Sequence, residues 1–200
     1  MPTAAAQLKR VAKEAASCTL CPLYRNATQT VFGEGPAPAA IMMVGEEPGD
    51  QEDRAGHPFV GPAGRMLDRG LAEVGLDRGK VYITNAVKHF KNEPRGKKRL
   101  HKRPNRYEVE VCKVWLGQEI SLVRPQLVLA LGVTAAVALA GRAVVLSRER
   151  GKVIELAGGQ RGMVTAHPSA ILRMPDDATR HAAYAAFVKD LEAAVKHLAA

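Results

Sequence analysis

The chain is poor in aromatic residues (4%), in cysteine (three) and in acids, with 20 Asp and Glu against 29 Lys and Arg over 200 residues. Each shortage excludes something. Three cysteines cannot all pair, so a disulfide-stapled fold is not expected. No uncharged apolar run reaches the ~20 residues that a membrane-crossing helix needs, so no membrane partner is expected. Residues Met1–Ala16 set Lys9, Arg10, Lys13 and Glu14 among alanines, which predicts an amphipathic helix rather than a secretory signal and points to the cytoplasm. Neither G-x-G-x-x-G nor G-x-x-x-x-G-K occurs, which removes the commonest dinucleotide and phosphate-loop fingerprints. The length suits one domain, taken as residues 1–200, acting as a monomer.

The excess of base is concentrated. Lys88 to Arg106 holds nine Lys or Arg against one acid, Glu93, and so carries nearly the whole net charge of +9. A charge run is often only a solvated loop. One cationic loop in an otherwise balanced chain raises the case for a polyanion, with nucleic acid as first candidate.

Apolar runs at Ala39–Val44, Val81–Val87, Leu127–Leu131 and Met163–Ala166 read as strands. Helical spacing fills the intervals: Pro62–Val74, a helix from Arg106 with Val109, Cys112, Leu116, Ile120 and Val123 on one stripe, Gly132–Ala140, and a closing helix with Tyr184, Phe187, Leu191, Val195 and Leu198 inward. This alternation predicts a three-layer α/β/α fold around a mostly parallel four-stranded sheet. Such sheets bind ligands at the carboxyl ends of their strands, here Gly45-Glu46, Thr84-Asn85 and Ala166-His167.

Cys18 and Cys21 form a short-spaced pair that could be a redox dithiol, a metal half-site or chance. Cys112, on an apolar stripe, could be a core thiol. With His89 these make a Cys₃His set, which suits zinc or an iron–sulfur cluster without choosing between them. The acidic stretch Gly45–Asp53 could be a solvated turn, or carboxylates held where a cationic transition state forms. Phe59, in a rigid Pro/Gly loop, could be core or a platform on which a base stacks.

In order, Cys-x-x-Cys, Gly-Glu-x-Pro-Gly-x-x-Glu-Asp, Pro-Phe-Val-Gly-Pro-Ala-Gly, Thr-Asn-x-Val-Lys, Cys112 and His-Pro-Ser resemble the iron–sulfur uracil-DNA glycosylases of family 4, over roughly residues 18–195. Where family 4 carries a third cluster cysteine, this chain has His89. Its Lys97-Lys98-Arg99-Leu100-His101 is similar to the signature loop of the UdgX group, whose histidine becomes covalently joined to DNA. The first motif departs from that group in having Glu47 where Gln is expected, an added carboxylate beside the reacting sugar.

The resemblance implies a DNA-repair protein that flips uracil out of DNA, in the nucleoid-associated cytoplasm. It implies a structural cluster of the [4Fe-4S] type on Cys18, Cys21, His89 and Cys112. Phe59 would stack on uracil, Asn85 would bond its Watson–Crick edge and His167 would donate to a carbonyl oxygen. Glu46 would stand nearest the sugar, with Asp50 close by and Glu47 at the substrate. His101 would attack C1′, with Glu46 taking the proton its ring loses. Arg99 would fix the loop or a phosphate, and Lys97, Lys98, Lys102 and Arg103 would hold the DNA. The rivals are a hydrolytic family 4 enzyme with free turnover, a non-catalytic metal-stabilised DNA-binding module, and a nucleotide-binding enzyme with no DNA partner.

Overall fold

The computed structural model describes residues 2–199. The helices are α1 (Ala4–Ala15), α2 (Asp50–Ala55), α3 (Pro62–Glu73), α4 (Arg106–Val123), α5 (Val133–Ala140), α6 (Leu146–Glu149), α7 (Pro168–Leu172) and α8 (Asp177–Ala199). The strands are β1 (Ile41–Gly45), β2 (Val81–Asn85), β3 (Asn92–Arg95), β4 (Lys98–His101), β5 (Leu127–Leu131), β6 (Val153–Glu155) and β7 (Arg161–Thr165).

The main sheet has the order β2-β1-β5-β7-β6. Its first four strands run parallel, and β6 closes the edge antiparallel to β7. The sheet thus has five strands and not the four expected. β6 is only three residues long, with Val153 and Glu155 exposed, so it has no buried apolar run to betray it. β1, β2 and β5 are buried along their whole length, as strands covered on both faces must be.

Alternation along these strands divides the core in two. Met42, Val44, Val128 and Ala130 face α1, α4 and α5, meeting Leu8, Val109, Leu116 and Leu139. Ile41, Met43, Leu127, Leu129 and Leu131 face α3 and α8, meeting Leu67, Leu71, Phe187 and Leu191. The three-layer α/β/α architecture follows. The chain leaves β1 to one side for β2 and returns on the other as β5. The carboxyl ends of β1 and β5 therefore flank a switch point, where an open α/β sheet leaves a crevice.

The middle of the cationic segment, residues 92–101, is not loop. β3 and β4 form a hairpin in which Arg95 pairs with Lys98 and Asn92 with His101. Gly96, at φ 59°, occupies the first central position of its two-residue turn and Lys97 is not at positive φ, which fits a type II′ turn. The acidic stretch also departs from an open turn: Asp50–Ala55 is helical, with Asp50, Glu52 and Asp53 in the first turn where the helix dipole favours negative charge.

Candidate active site

A pocket of about 400 Å³ opens at the carboxyl ends of the strands, lined by Glu47, Asp50, Phe59, Asn85, His101 and His167 among others. Its floor requires a glycine at the end of β1. A Cβ on Gly45 would lie 2.3 Å from Asn85 Oδ1 and 2.6 Å from the Phe59 ring. Phe59 itself sits at φ 54°, a left-handed conformation that costs a bulky residue free energy and is retained where a site needs it. Arg78 holds this loop by donating to the carbonyls of Pro58 and Phe59 and by pairing with Asp68. The Phe59 ring lies 5.8 Å from that of His167.

Asn85 ends β2, only 2% exposed, and its Oδ1 has no hydrogen-bond partner among the described residues. A buried acceptor left unsatisfied is costly, so this oxygen is prepared for a donor from outside the protein. His167 caps α7. Its Nδ1 accepts from the Ser169 N–H at 3.1 Å, which leaves the neutral ring's proton on Nε2 as a donor. Burial, with Arg173 and His101 nearby, lowers its pKa to about 4, so the ring is neutral at physiological pH. Phe59 thus offers a flat apolar face, Asn85 an unpaired acceptor and His167 a neutral N–H donor.

The hairpin supplies the fourth wall. Residues two apart on a strand share a face, so Arg99 and His101 both turn toward the acidic segment while Lys98 turns away. Arg99 pairs with Asp50 at 2.6 Å and Asp53 at 2.5 Å and reaches Thr28 Oγ1. Burial pushes the Asp50 carboxyl up, but the Arg54 and Arg99 guanidiniums outweigh it and hold the group below its usual range. Arg99 is therefore committed to fixing the hairpin, and no phosphate is needed to explain it.

His101 Nε2 lies 2.9 Å from Glu47 Oε1. The approach is close but falls outside hydrogen-bond geometry, and Glu47 Oε1 has no aligned donor among the described residues. Burial raises the Glu47 pKa to about 7, against the lowering effect of His101. The His101 pKa rises in turn, first through its contact with Glu47. The carboxylate against His101 is thus Glu47, where Glu46 was expected. Glu46 instead accepts from the Thr134 hydroxyl, across the β1–β5 switch point, and lies 3.4 Å from Arg103.

Pairing also redistributes the cationic run. Lys88, counted from sequence among the surface charges, is completely buried and bound to Glu119. Lys91 pairs with Glu108, Lys102 with Glu93 and Arg103 with Glu46. Among the described residues, Arg95, Lys97, Lys98 and Arg106 stand outside these pairs, three of them at the hairpin tip. Exposed pairs such as Lys102–Glu93 are weak and readily exchanged for phosphate.

The three cysteines are neighbours: after burial, Cys18 adds to the raised pKa of Cys21, and Cys21 and Cys18 both add to that of Cys112. Burial pushes Cys112 up to about 11, so this thiol ionises only when a metal takes the proton's place. The Lys88 backbone N–H points at Cys112 Sγ and the Trp115 indole N–H at Cys18 Sγ, both at 3.2 Å. Such N–H···S contacts are the outer shell of thiolate-held metals. His89, next to Lys88, is buried, and burial lowers its pKa, which keeps its imidazole neutral as a ligand must be. Three thiolates and a neutral imidazole are, in donor chemistry, a set that suits an iron–sulfur cluster.

Sequence reasoning passed over Ser169, Thr134 and Arg173. Ser169 stood in the His-Pro-Ser motif. Thr134 follows the end of β5 by three residues and Arg173 directly follows α7, and only the tertiary fold brings them to the rim.

A parallel sheet with this rim defines a known class. The chain belongs to the uracil DNA glycosylase superfamily, whose family model matches residues 32–192. Its relatives include three proteins named Type-4 uracil-DNA glycosylase. That of Pyrobaculum aerophilum is 41% identical over 166 residues, 80% of this chain and 81% of the relative. That of Thermotoga maritima is 38% identical over 164 residues, 82% of each. That of Archaeoglobus fulgidus is 37% identical over 175 residues, 84% of each.

Proposed function

We propose that this chain removes uracil from DNA and then becomes joined through His101 to C1′ of the abasic site. The observation that carries the uracil reading is the unpaired, buried Asn85 Oδ1 beside the Phe59 ring and the neutral His167 N–H. Uracil presents a flat face, an N3–H donor and carbonyl acceptors, one for each of these groups. Breaking the C1′–N1 bond sends its electron pair to the base and leaves positive charge on the sugar. His167 would stabilise the first and the carboxylates of Glu46 and Glu47 the second.

Attachment rests on His101 at the same pocket. Its neutral ring would add a nitrogen lone pair to C1′, and the proton it must then lose has an acceptor in Glu47. The exposed cations at the hairpin tip, Lys97 and Lys98, with Lys102 and Arg103 behind them, would hold phosphates. Cys18, Cys21, His89 and Cys112 would hold a [4Fe-4S] cluster. When bound, that group supplies a brace between the hairpin and α4, leaving uracil chemistry to the side chains. Hydrolysis with turnover is the second reading, favoured by the names of the relatives and by the added acid at Glu47.

Denaturing electrophoresis separates the two. Uracil-containing DNA should remain attached to the protein after boiling in detergent, and thymine-containing DNA should not. His101→Ser should lose the attached band and retain some uracil release. Free uracil with many turnovers and no band establishes the hydrolytic reading, and a band that survives in His101→Ser means another residue attacks.

A further inference from the structure

Glu46, Glu47 and His101 each turn one ligand-capable atom inward, and the three atoms lie within 4.8 Å of one another. The two carboxylates belong to consecutive residues past the end of β1 and would repel one another at this spacing. One of them is also unsatisfied. The Glu47 side chain is 0% exposed, its Oε2 is held by the Lys91 backbone N–H at 3.3 Å, and Oε1 points at His101 without an aligned donor. A buried, oriented carboxylate oxygen with nothing aligned against it calls for a cation.

The chemistry of the set narrows which cation. One imidazole, a borderline donor, with two hard carboxylates is a set that zinc and manganese take, and three protein ligands leave positions open for water or substrate. We infer that Glu46, Glu47 and His101 form a site for one divalent first-row transition ion, of the zinc or manganese class, which shuts the pocket when it binds. The bound ion would occupy the His101 nitrogen and both carboxylates together. The groups facing the set are Arg103, 3.4 Å from Glu46, the Thr134 hydroxyl on Glu46, and Arg173 beyond α7. Arg103 has a 79% exposed side chain and swings into solvent as the ion enters. This inference rests on the ligand atoms and stands whether or not His101 attacks the sugar.

The test titrates the cluster-loaded protein with Mn²⁺, following the free-ion signal by electron paramagnetic resonance, and then adds Zn²⁺ as competitor. One Mn²⁺ per chain should leave solution, and Zn²⁺, higher in the affinity order, should release it. Glu47→Gln and His101→Ser should each weaken binding by about tenfold or more, with circular dichroism checking that both variants are folded. Binding in either folded variant within about twofold of the parent overturns the site, as does a parent that takes up neither ion. Zn²⁺ added before uracil-containing DNA should also slow uracil release by about tenfold, and an unchanged rate with the ion bound overturns the shut-off. DNA attachment without ion uptake removes this inference and leaves the proposed function. Ion uptake without attachment does the reverse.

Discussion

Replacing Lys88 by Met should unfold the protein more easily while leaving its electrostatic grip on DNA unchanged. The Lys88 Nζ is completely buried and donates to Glu119 at 2.5 Å, Thr84 Oγ1 at 2.6 Å and the Asn85 carbonyl at 2.7 Å. Glu119 also accepts from Tyr82 Oη, Thr84 Oγ1 and the Gly33 N–H. Methionine fits the volume but strands the carboxylate, and breaking one partner of a buried pair costs about 3–5 kcal/mol. With a urea slope of about 2 kcal/mol/M for a chain of this size, the midpoint should fall by about 1.5–2.5 M. Lys88→Met/Glu119→Gln should recover about 1–3 kcal/mol of that loss, because no uncompensated charge remains. Affinity for uracil should fall as well, since the Asn85 backbone loses its anchor. The assay is urea unfolding followed by circular dichroism on cluster-loaded proteins, with DNA affinity measured across salt concentrations. A single-variant cost below about 1 kcal/mol, or a flatter salt dependence, would refute the buried pair and return Lys88 to the DNA-facing surface.

The remaining predictions concern the tip, the cluster and acidity. Lys97→Ala with Lys98→Ala should weaken binding to all DNA sequences alike and flatten the salt slope by about one unit for each phosphate no longer held, as filter binding at several salt concentrations would read. Protein purified anaerobically should be brown, with iron and acid-labile sulfide at about four each per chain, and Cys112→Ala should lose both; zinc without sulfide would falsify the cluster. On the proposed reading, attachment needs a neutral His101, and a raised pKa keeps the proton on to higher pH. The attachment rate should therefore climb with pH through a midpoint above the ordinary histidine value of about 6.5, and Glu47→Gln should move that midpoint down. A midpoint unmoved by the substitution would uncouple the two residues.

Legibility from sequence followed the source of each element's stability. Leu127–Leu131 was readable to the residue because a strand covered on both faces must be an unbroken apolar run. Residues 92–101 gave no such signal. The hairpin carries Arg95, Lys97, Lys98 and Arg99 as well as Pro94, and ion pairs with α2 rather than buried carbon hold it in place. Asn85, Phe59 and His167 could be located because strand ends and a Pro/Gly loop announce a rim. Their hydrogen-bond states could not, since the unpaired Asn85 oxygen and the His167 tautomer depend on neighbours fixed by the fold. Lys88–Glu119 and Glu47–His101 are long-range pairings, 31 residues apart in the first case, that charge counting cannot foresee.

The hairpin is also a ruler. Lys98 and His101 stand three residues apart on one strand, a span of about 10 Å at 3.3 Å per residue. Arg99, clamped between them to Asp50 and Asp53, fixes that span against α2. With a phosphate at the tip and the sugar at His101, only a strand whose backbone bridges that interval engages both ends together. On the proposed reading, the phosphate under the tip would therefore belong to a nucleotide beside the extruded one and not to the extruded one itself. Oligonucleotides cut short of that nucleotide on the tip side should lose the contribution of the tip cations abruptly, at one nucleotide, and tolerate shortening on the other side.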